Sequence, residues 1–153
     1  NHDRGQTLVE FALILPLFLL LVLGFFDIGR AVFYYTVLNN AVREGTRFAI
    51  VQPSDNYGAY PNEIISGFAC DTLTEPAHKG ICNEIKGYVF NIGELSGSEI
   101  AITHIDKGTP DLKINIKITY DYHPVIPGLE LITDFTIEAE SEMLLAEIAK
   151  PED

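Results

Sequence analysis

The sequence has little positive charge: its 153 residues include ten Lys and Arg against 22 Asp and Glu, a formal net charge of −12. Residues 1–50 carry four basic and four acidic side chains, so the whole acidic excess lies in residues 51–153. An acidic surface repels the phosphates of nucleic acids and keeps a protein soluble. The composition therefore predicts no nucleic-acid partner and places any self-association in the neutral N-terminal part.

Motifs of well-known catalytic chemistry are also missing. The sequence has no glycine-rich phosphate loop, no Gly-x-Ser-x-Gly and no Cys-x-x-Cys. The four histidines show no metal-site spacing among themselves or with the cysteines. We therefore predict no enzyme, no metal and no cofactor. The histidines are His2, His78, His104 and His123.

Cysteine is scarce, and the two cysteines, Cys70 and Cys82, lie twelve residues apart in a stretch rich in Gly, Pro, Asn and Asp. A disulfide is the first interpretation, because closing so short a loop contributes roughly 3 kcal/mol in the chain-entropy model. The alternative is a pair of free buried thiols. The disulfide interpretation depends on export to an oxidising compartment.

Charge is absent from sixteen consecutive residues, 11–26, which lie between Glu10 and Asp27. As a helix this run is about 24 Å long, slightly less than the roughly 30 Å hydrocarbon core of a bilayer. No run of small residues follows as a cleavage site, and helical sequence continues directly. We therefore predict a membrane anchor rather than a disposable leader.

The helix is predicted to run from about residue 6 to 51, because apolar or small residues recur three and four apart as far as Phe48, and Pro53 ends it. Such a length without stop signals is typical of a transmembrane helix, a coiled coil or a fibre core. Pro16 and three glycines weaken it. Either the helix must bend or loosen when it leaves lipid to pack against copies of itself, or it simply tolerates these residues as membrane helices do. The glycines are Gly24, Gly29 and Gly45.

Glu10 lies at the edge of this apolar run. A carboxylate there is costly to bury in lipid or in a fibre core unless it meets a donor. In a filament the donor would be the N-terminal amine of a neighbouring subunit, or its Arg4. The alternative is a hydrated Glu10 at the depth of the lipid headgroups.

The C-terminal part shows the alternation of half-buried strands. Residues 112–122 alternate throughout, 99–105 read as a second strand, and 135–143 as a third that buries its apolar side chains. The predicted buried face of residues 112–122 carries Leu112, Ile114, Ile116, Ile118, Tyr120 and Tyr122. The outer face of the third strand is acidic and suits Lys113 and Lys117 if the strands pair. The predicted buried residues of the third strand are Phe135, Ile137, Ala139 and Met143.

These patterns predict an α+β fold, in which a long N-terminal hydrophobic helix precedes a small head with an antiparallel sheet of about three strands. We divide the chain into an anchor or filament-core helix (1–52), an irregular region with short helices and the disulfide (53–98), and the sheet (99–153). The apolar face of the sheet is expected to pack on the later half of the helix.

The first fifty residues resemble the TadE-like pseudopilins of tight-adherence (Tad) secretion systems, which are relatives of type IV pilins. The resemblance lies in two strings, RGQTLVEFALILPLFLLLVLGFFDIGRA and NAVREGTRFA. It implies processing by an inner-membrane prepilin peptidase. Cleavage after Gly5 would make Gln6 the first residue and Glu10 the fifth; the alternative is cleavage upstream of Asn1.

The resemblance also implies extraction from the inner membrane by pilus assembly machinery and polymerisation with copies of the same chain. The expected product is an extracellular adhesive filament, of which the chain is a major or minor component. The alternative is a membrane-anchored extracytoplasmic scaffold or binding protein that does not polymerise. The residues assigned to assembly are Glu10, Phe11, Pro16, Gly24, Asp27 and Arg30.

Overall fold

The fold consists of one long helix followed by a compact head. The computed structural model describes residues 2–52, 62–89, 92, 97–105, 112–126 and 135–145, with the side chains of the first helix from Gln6 onward. In this part of the chain the head contains a second helix and one antiparallel sheet. The predicted α+β class and the predicted order, helix first and sheet last, are confirmed.

Helix α1 (His2–Ile50) is continuous over 49 residues, with Pro16 inside it. Its two halves have different surroundings. Residues 6–21 are exposed on every side, whereas one face of residues 38–49 is fully buried in the head. The helix therefore ends inside a folded domain and projects from it. Pro53, the predicted stop, lies outside the described residues.

Within the described residues the sheet has four strands, where the sequence predicts about three. The strands follow one another in space in the order of the chain, and each neighbouring pair is antiparallel. The additional strand, β1 (Glu63–Ser66), lies in the stretch assigned to the irregular region. It has four residues and only Ile65 is buried, too short a pattern to show alternation. The elements of the head are β1 (Glu63–Ser66), a 3-10 turn (Cys70–Thr72), α2 (Pro76–Val89), β2 (Glu99–Ile105), β3 (Lys113–Tyr122) and β4 (Phe135–Leu144).

One face of the sheet packs on α1 and α2 and forms the core. The register aligns apolar side chains across the strands, as in the pairs Ile102 with Ile116 and Ile118 with Ala139. The face of β3 predicted to be buried is buried. Full burial of such side chains stabilises by about 1.5–3 kcal/mol each. Core residues with 0% exposure include Leu38, Ala41, Val42, Ala49, Ile81, Ile85, Val89, Ile100, Ile102, Ile114, Ile116 and Ile118.

Phe135 departs from the predicted pattern, because its side chain is 50% exposed. It lies at the end of β4 opposite Tyr122, and the two rings meet edge to face with centroids 5.8 Å apart. Beyond that pair the core ends, so the alternation of β4 correctly gives the direction of the Phe135 side chain but overestimates its burial.

The outer face of the sheet carries the cross-strand ion pairs that the sequence suggested. Lys113 lies 3.0 Å from Glu142, and Lys117 lies 2.9 Å from Glu138. Both pairs join β3 to β4, which confirms that these strands are neighbours. Because the side chains are partly exposed, each pair stabilises the head by no more than about 1 kcal/mol.

Two glycines of α1, Gly29 and Gly45, have different surroundings. A Cβ atom on Gly45 would lie 2.7 Å from Cγ1 of Ile85, so α1 and α2 approach each other too closely there for a side chain. A Cβ on Gly29 would have no neighbour within 4 Å. Packing therefore accounts for Gly45 and offers no reason for Gly29.

Candidate functional site

The N-terminal half of α1, residues 6–26, is the apolar segment. Fourteen of its large apolar side chains are exposed. Monomeric soluble proteins rarely expose a contiguous apolar patch of this size, so lipid or protein must cover it. These side chains are Leu8, Val9, Phe11, Leu13, Ile14, Leu15, Leu17, Phe18, Leu19, Leu20, Leu21, Leu23, Phe25 and Phe26.

By length and composition, α1 is able to cross a membrane. The apolar segment has the properties of an anchor, since from Phe11 to Phe26 it carries no charge and exposes apolar side chains on all sides, and a helix satisfies its backbone hydrogen bonds internally except where Pro16 lacks an N–H. Among the described residues, the head packs on the later half of the helix and reaches the apolar segment at its last turn. Most of the apolar segment is therefore available to a surrounding phase or to a partner.

Glu10 is exposed near the start of the apolar segment. Its Oε1 accepts a hydrogen bond of 3.4 Å from Nε2 of Gln6, one helical turn earlier. The side chain of Arg4 is not among those that the structure describes, and Gly5 has no side chain. Phe11 is 63% exposed and Pro16 lies within the continuous helix. The roles of these residues in processing and assembly stay predictions.

At the other end of the apolar segment the head closes onto the helix at the junction, which comprises Asp27, Arg30, Tyr122 and residues 123–126. Asp27 is only 7% exposed. Its carboxylate accepts hydrogen bonds from the backbone N–H of Val125 (3.0 and 3.1 Å to Oδ1 and Oδ2) and of Ile126 (3.2 Å to Oδ2). The Asp27 carboxylate has lost most of its contact with water, and backbone N–H groups supply hydrogen bonds in its place, as the burial of a charged group requires.

Tyr122, the last residue of β3, links both charged side chains of the junction. Its hydroxyl donates to the backbone carbonyl of Asp27 at 2.9 Å and lies 3.3 Å from Oδ1 of the same residue. It accepts from Nε of Arg30 at 3.1 Å. Burial raises the pKa of Tyr122 above its ordinary value, against the opposing effect of the Arg30 hydrogen bond. The hydroxyl therefore stays protonated and able to donate at neutral pH.

Arg30 completes the junction. Its Nη2 donates to the backbone carbonyl of His123 and lies 3.9 Å from Oδ1 of Asp27. Its guanidinium also stands over the rings of Tyr122 and Tyr34, 4.9 and 5.7 Å from their centroids. The sequence predicted that Asp27 and Arg30 act in assembly between subunits. The structure places both in contacts within one subunit, and the assembly role stays a prediction.

Gly24, also assigned to assembly, lies one turn before Asp27 and contacts the same loop. A Cβ on Gly24 would lie 3.9 Å from Cδ1 of Ile126, which is ordinary van der Waals distance. The loop after β3 therefore reaches back over the last turn of the apolar segment. Sequence reasoning missed this contact, although a lone carboxylate closing an uncharged run was a signal that a donor must be near.

The predicted disulfide between Cys70 and Cys82 is present and ties the 3-10 turn to α2. A polar pair of buried His78 and partly buried Glu63 lies in the same part of the head: Nδ1 of His78 is 2.6 Å from Oε2 of Glu63, and the His78 ring stacks on that of His104 with centroids 5.3 Å apart. Through Glu63 and His104, these contacts join α2 to strands β1 and β2 of the sheet. Among the described residues no cluster of three or more His, Cys, Asp or Glu side chains suits a metal ion.

These features define a class of protein: a small α+β head fastened to the later half of a long helix whose earlier half is an apolar, membrane-competent rod. Residues 5–47 match the family model described as TadE-like protein, which confirms the resemblance of the N-terminal helix to a TadE-like pseudopilin of the Tad system. The match lies within α1 and includes none of the elements that follow it. Neither the curated proteins nor the solved structures contain a match to the chain.

Proposed function

We propose that this chain is a pilin-like structural subunit that polymerises through its N-terminal helix into an extracellular adhesive filament, as a major or minor component. The observation that carries the proposal is the apolar segment itself, with fourteen exposed large apolar side chains on a helix rooted in a folded head. The match of residues 5–47 to the TadE-like family supports the same conclusion.

The magnitude of the exposed surface supports an exchange of lipid for sister helices. At about 1.5–3 kcal/mol for each large apolar side chain, covering the apolar segment contributes on the order of 20–40 kcal/mol. This exceeds the net stability of a typical domain, about 5–15 kcal/mol, so the segment is not expected to remain in water. Lipid tails and sister helices are similarly apolar, so transfer between them is nearly balanced. Polar contacts then decide the direction.

Glu10 is the polar group best placed to decide it. In the membrane its carboxylate lies at the hydrated edge of the apolar segment, whereas in a helical polymer it is drawn against neighbouring helices and requires a donor. Cleavage after Gly5 would supply one, because Gln6 would then begin each subunit with a free amine. Arg4 would serve instead if cleavage lies upstream of Asn1. The prepilin peptidase and the assembly machinery of the inner membrane are the partners that this route requires.

Electron microscopy of the protein purified without detergent tests the proposal. Regular fibres are expected from the native chain, and Glu10→Ala is expected to lower fibre yield strongly while membrane insertion stays normal. Asp71→Ala is the matched control, because it removes the same charge from a side chain in the head that is 91% exposed. Monomers that require detergent would contradict polymerisation and favour the anchored scaffold. Normal fibres from Glu10→Ala would remove Glu10 from the mechanism.

A further inference from the structure

The uncharged run of α1 is shorter than a bilayer. Residues 11–26 measure about 24 Å along the helix, and a hydrocarbon core of about 30 Å exceeds that by roughly 6 Å. Tilting the helix would increase the deficit. One charged end of the run is therefore drawn toward the hydrocarbon boundary, or the apolar length is extended by something other than α1.

The Asp27 end is adapted to that depth. Asp27 is almost completely screened from its surroundings, and the backbone N–H groups of Val125 and Ile126, together with the hydroxyl of Tyr122, surround its oxygens. Arg30 turns its guanidinium toward the head and the aromatic rings of the junction. If the water-poor boundary of the bilayer lies at the level of Asp27, it therefore meets a carboxylate that the head already covers.

The same loop places apolar side chains at the level of the last turn of the apolar segment. Ile126 packs over Gly24, and Val125, whose N–H binds Asp27, has a side chain that is 57% exposed. Phe135 is half exposed beside Tyr122. Phe25 and Phe26, 70% and 73% exposed, lie at the same level on sides of α1 that the loop does not cover. We call the apolar side chains of the head at this level, Val125, Ile126 and Phe135, the junction patch.

We propose that, while the subunit is anchored in the membrane, the junction patch inserts into the boundary between headgroups and acyl chains, so that the head rests on the bilayer. The patch lies beside the last turn of the membrane-competent segment, at the level toward which the short uncharged run draws the bilayer boundary. Tyr122 and Arg30 behind it are residue types that suit this boundary. The proposal rests on the anchored stage of the proposed function and not on polymerisation.

The chain has no tryptophan, so a single substitution gives a fluorescent reporter at a chosen site. Val125→Trp reports on the junction patch and leaves the backbone N–H that binds Asp27 in place. Leu144→Trp is the matched control, since Leu144 is 58% exposed and lies at the opposite end of β4 from Phe135. Nine residues along a strand separate the two ends of β4 by about 30 Å.

Each full-length variant is reconstituted into phosphatidylcholine vesicles that carry bromine atoms at a known depth in the acyl chain. For Val125→Trp we expect blue-shifted emission and about twofold or greater quenching, strongest for bromines near the headgroup end, because interfacial insertion reaches about 5–10 Å. For Leu144→Trp we expect the emission of an indole in water and little quenching.

Equal quenching of the two variants would overturn the proposal. A blue shift for Val125→Trp without bromine quenching would also overturn it, because the indole would then lie against protein, either its own head or a second copy. The measurement uses dispersed, anchored chains and does not depend on fibre formation. If the quenching result contradicts membrane contact of the junction patch, the proposal of polymerisation is unaffected. If no fibres form, the quenching result is likewise unaffected.

Discussion

Asp27→Asn tests whether the junction is what fastens the head to the base of the apolar segment. The substitution preserves shape and one acceptor oxygen, but it removes the charge and presents an NH₂ group to one of two backbone N–H donors. Those donors, on Val125 and Ile126, lie 3.0–3.2 Å from the carboxylate oxygens. Both donors keep an acceptor only if the Asn oxygen stands at the Oδ2 position, and the buried NH₂ group then lies against the Val125 N–H and the Tyr122 hydroxyl at the Oδ1 position.

The expected loss follows from these contacts. A hydrogen bond to a charged group contributes about 1.5–3 kcal/mol, and leaving a buried donor unsatisfied costs about 1–3 kcal/mol. The ion pair with Arg30 is long, at 3.9 Å, and the Arg30 side chain is one-third exposed, so it adds little. We expect Asp27→Asn to destabilise the junction by about 2–4 kcal/mol, a large part of the 5–15 kcal/mol of a typical domain.

Hydrogen exchange measured by mass spectrometry in detergent micelles reports the effect directly. The amides of Val125 and Ile126 are expected to exchange roughly 30- to 1,000-fold faster in the variant, since each 1.4 kcal/mol is a factor of ten. Asp71→Asn is the control, because this side chain is 91% exposed and its ion pair is a 3.5 Å contact with the partly exposed Lys79. If Asp27→Asn accelerates exchange no more than Asp71→Asn does, the junction does not depend on the carboxylate and the reasoning is refuted.

Two further predictions concern the head. Gly45→Ala is expected to lower the thermal stability, because overpacking against Ile85 costs about 1–3 kcal/mol and outweighs a helix-propensity gain of up to about 1 kcal/mol. Gly87→Ala, whose Cβ would meet no atom within 4 Å, is expected to raise the thermal stability. The reverse order of the two variants would contradict the packing at Gly45. Replacing Cys70 and Cys82 by Ala is expected to lower the free energy of unfolding, measured by urea denaturation, by about 2–4 kcal/mol. In the exported native protein, mass spectrometry is expected to find neither cysteine alkylated without reductant. Alkylation of both cysteines would refute the disulfide.

The sequence predicted those parts of the fold whose signal is local and repeated. Strand β2 was predicted at residues 99–105 and is observed as Glu99–Ile105, and the eleven-residue alternation around β3 gave both its extent and its buried face. The helix was equally clear, because a long uncharged run has few alternatives. Strand β1 carries one buried residue in four and gives no such pattern.

The junction was beyond sequence reasoning for a different reason. Asp27 is recognised by backbone N–H groups 98 and 99 residues away, and a backbone donor leaves no mark in the amino-acid sequence. Tyr122 did appear in the sequence, but as one more member of an alternating apolar face. Only the fold shows that its hydroxyl reaches the helix. Asp27 and Arg30 were therefore noticed as charges that close an apolar run, without the partners that explain them.

Because the later half of α1 is buried in the head and the earlier half is exposed, replacing lipid by sister helices would change the surroundings of only part of the subunit. Leu38 and Ala49 are fully buried in the head, so the helix cannot leave the head without unfolding it, and the junction holds the head at a fixed distance from the apolar segment. A subunit that moves from lipid into a polymer would therefore move as one body. Only the covering of residues 6–26 and of the junction patch would be replaced. Because that patch lies beside the apolar segment, a sister helix that covers the segment to its end would meet the patch as well.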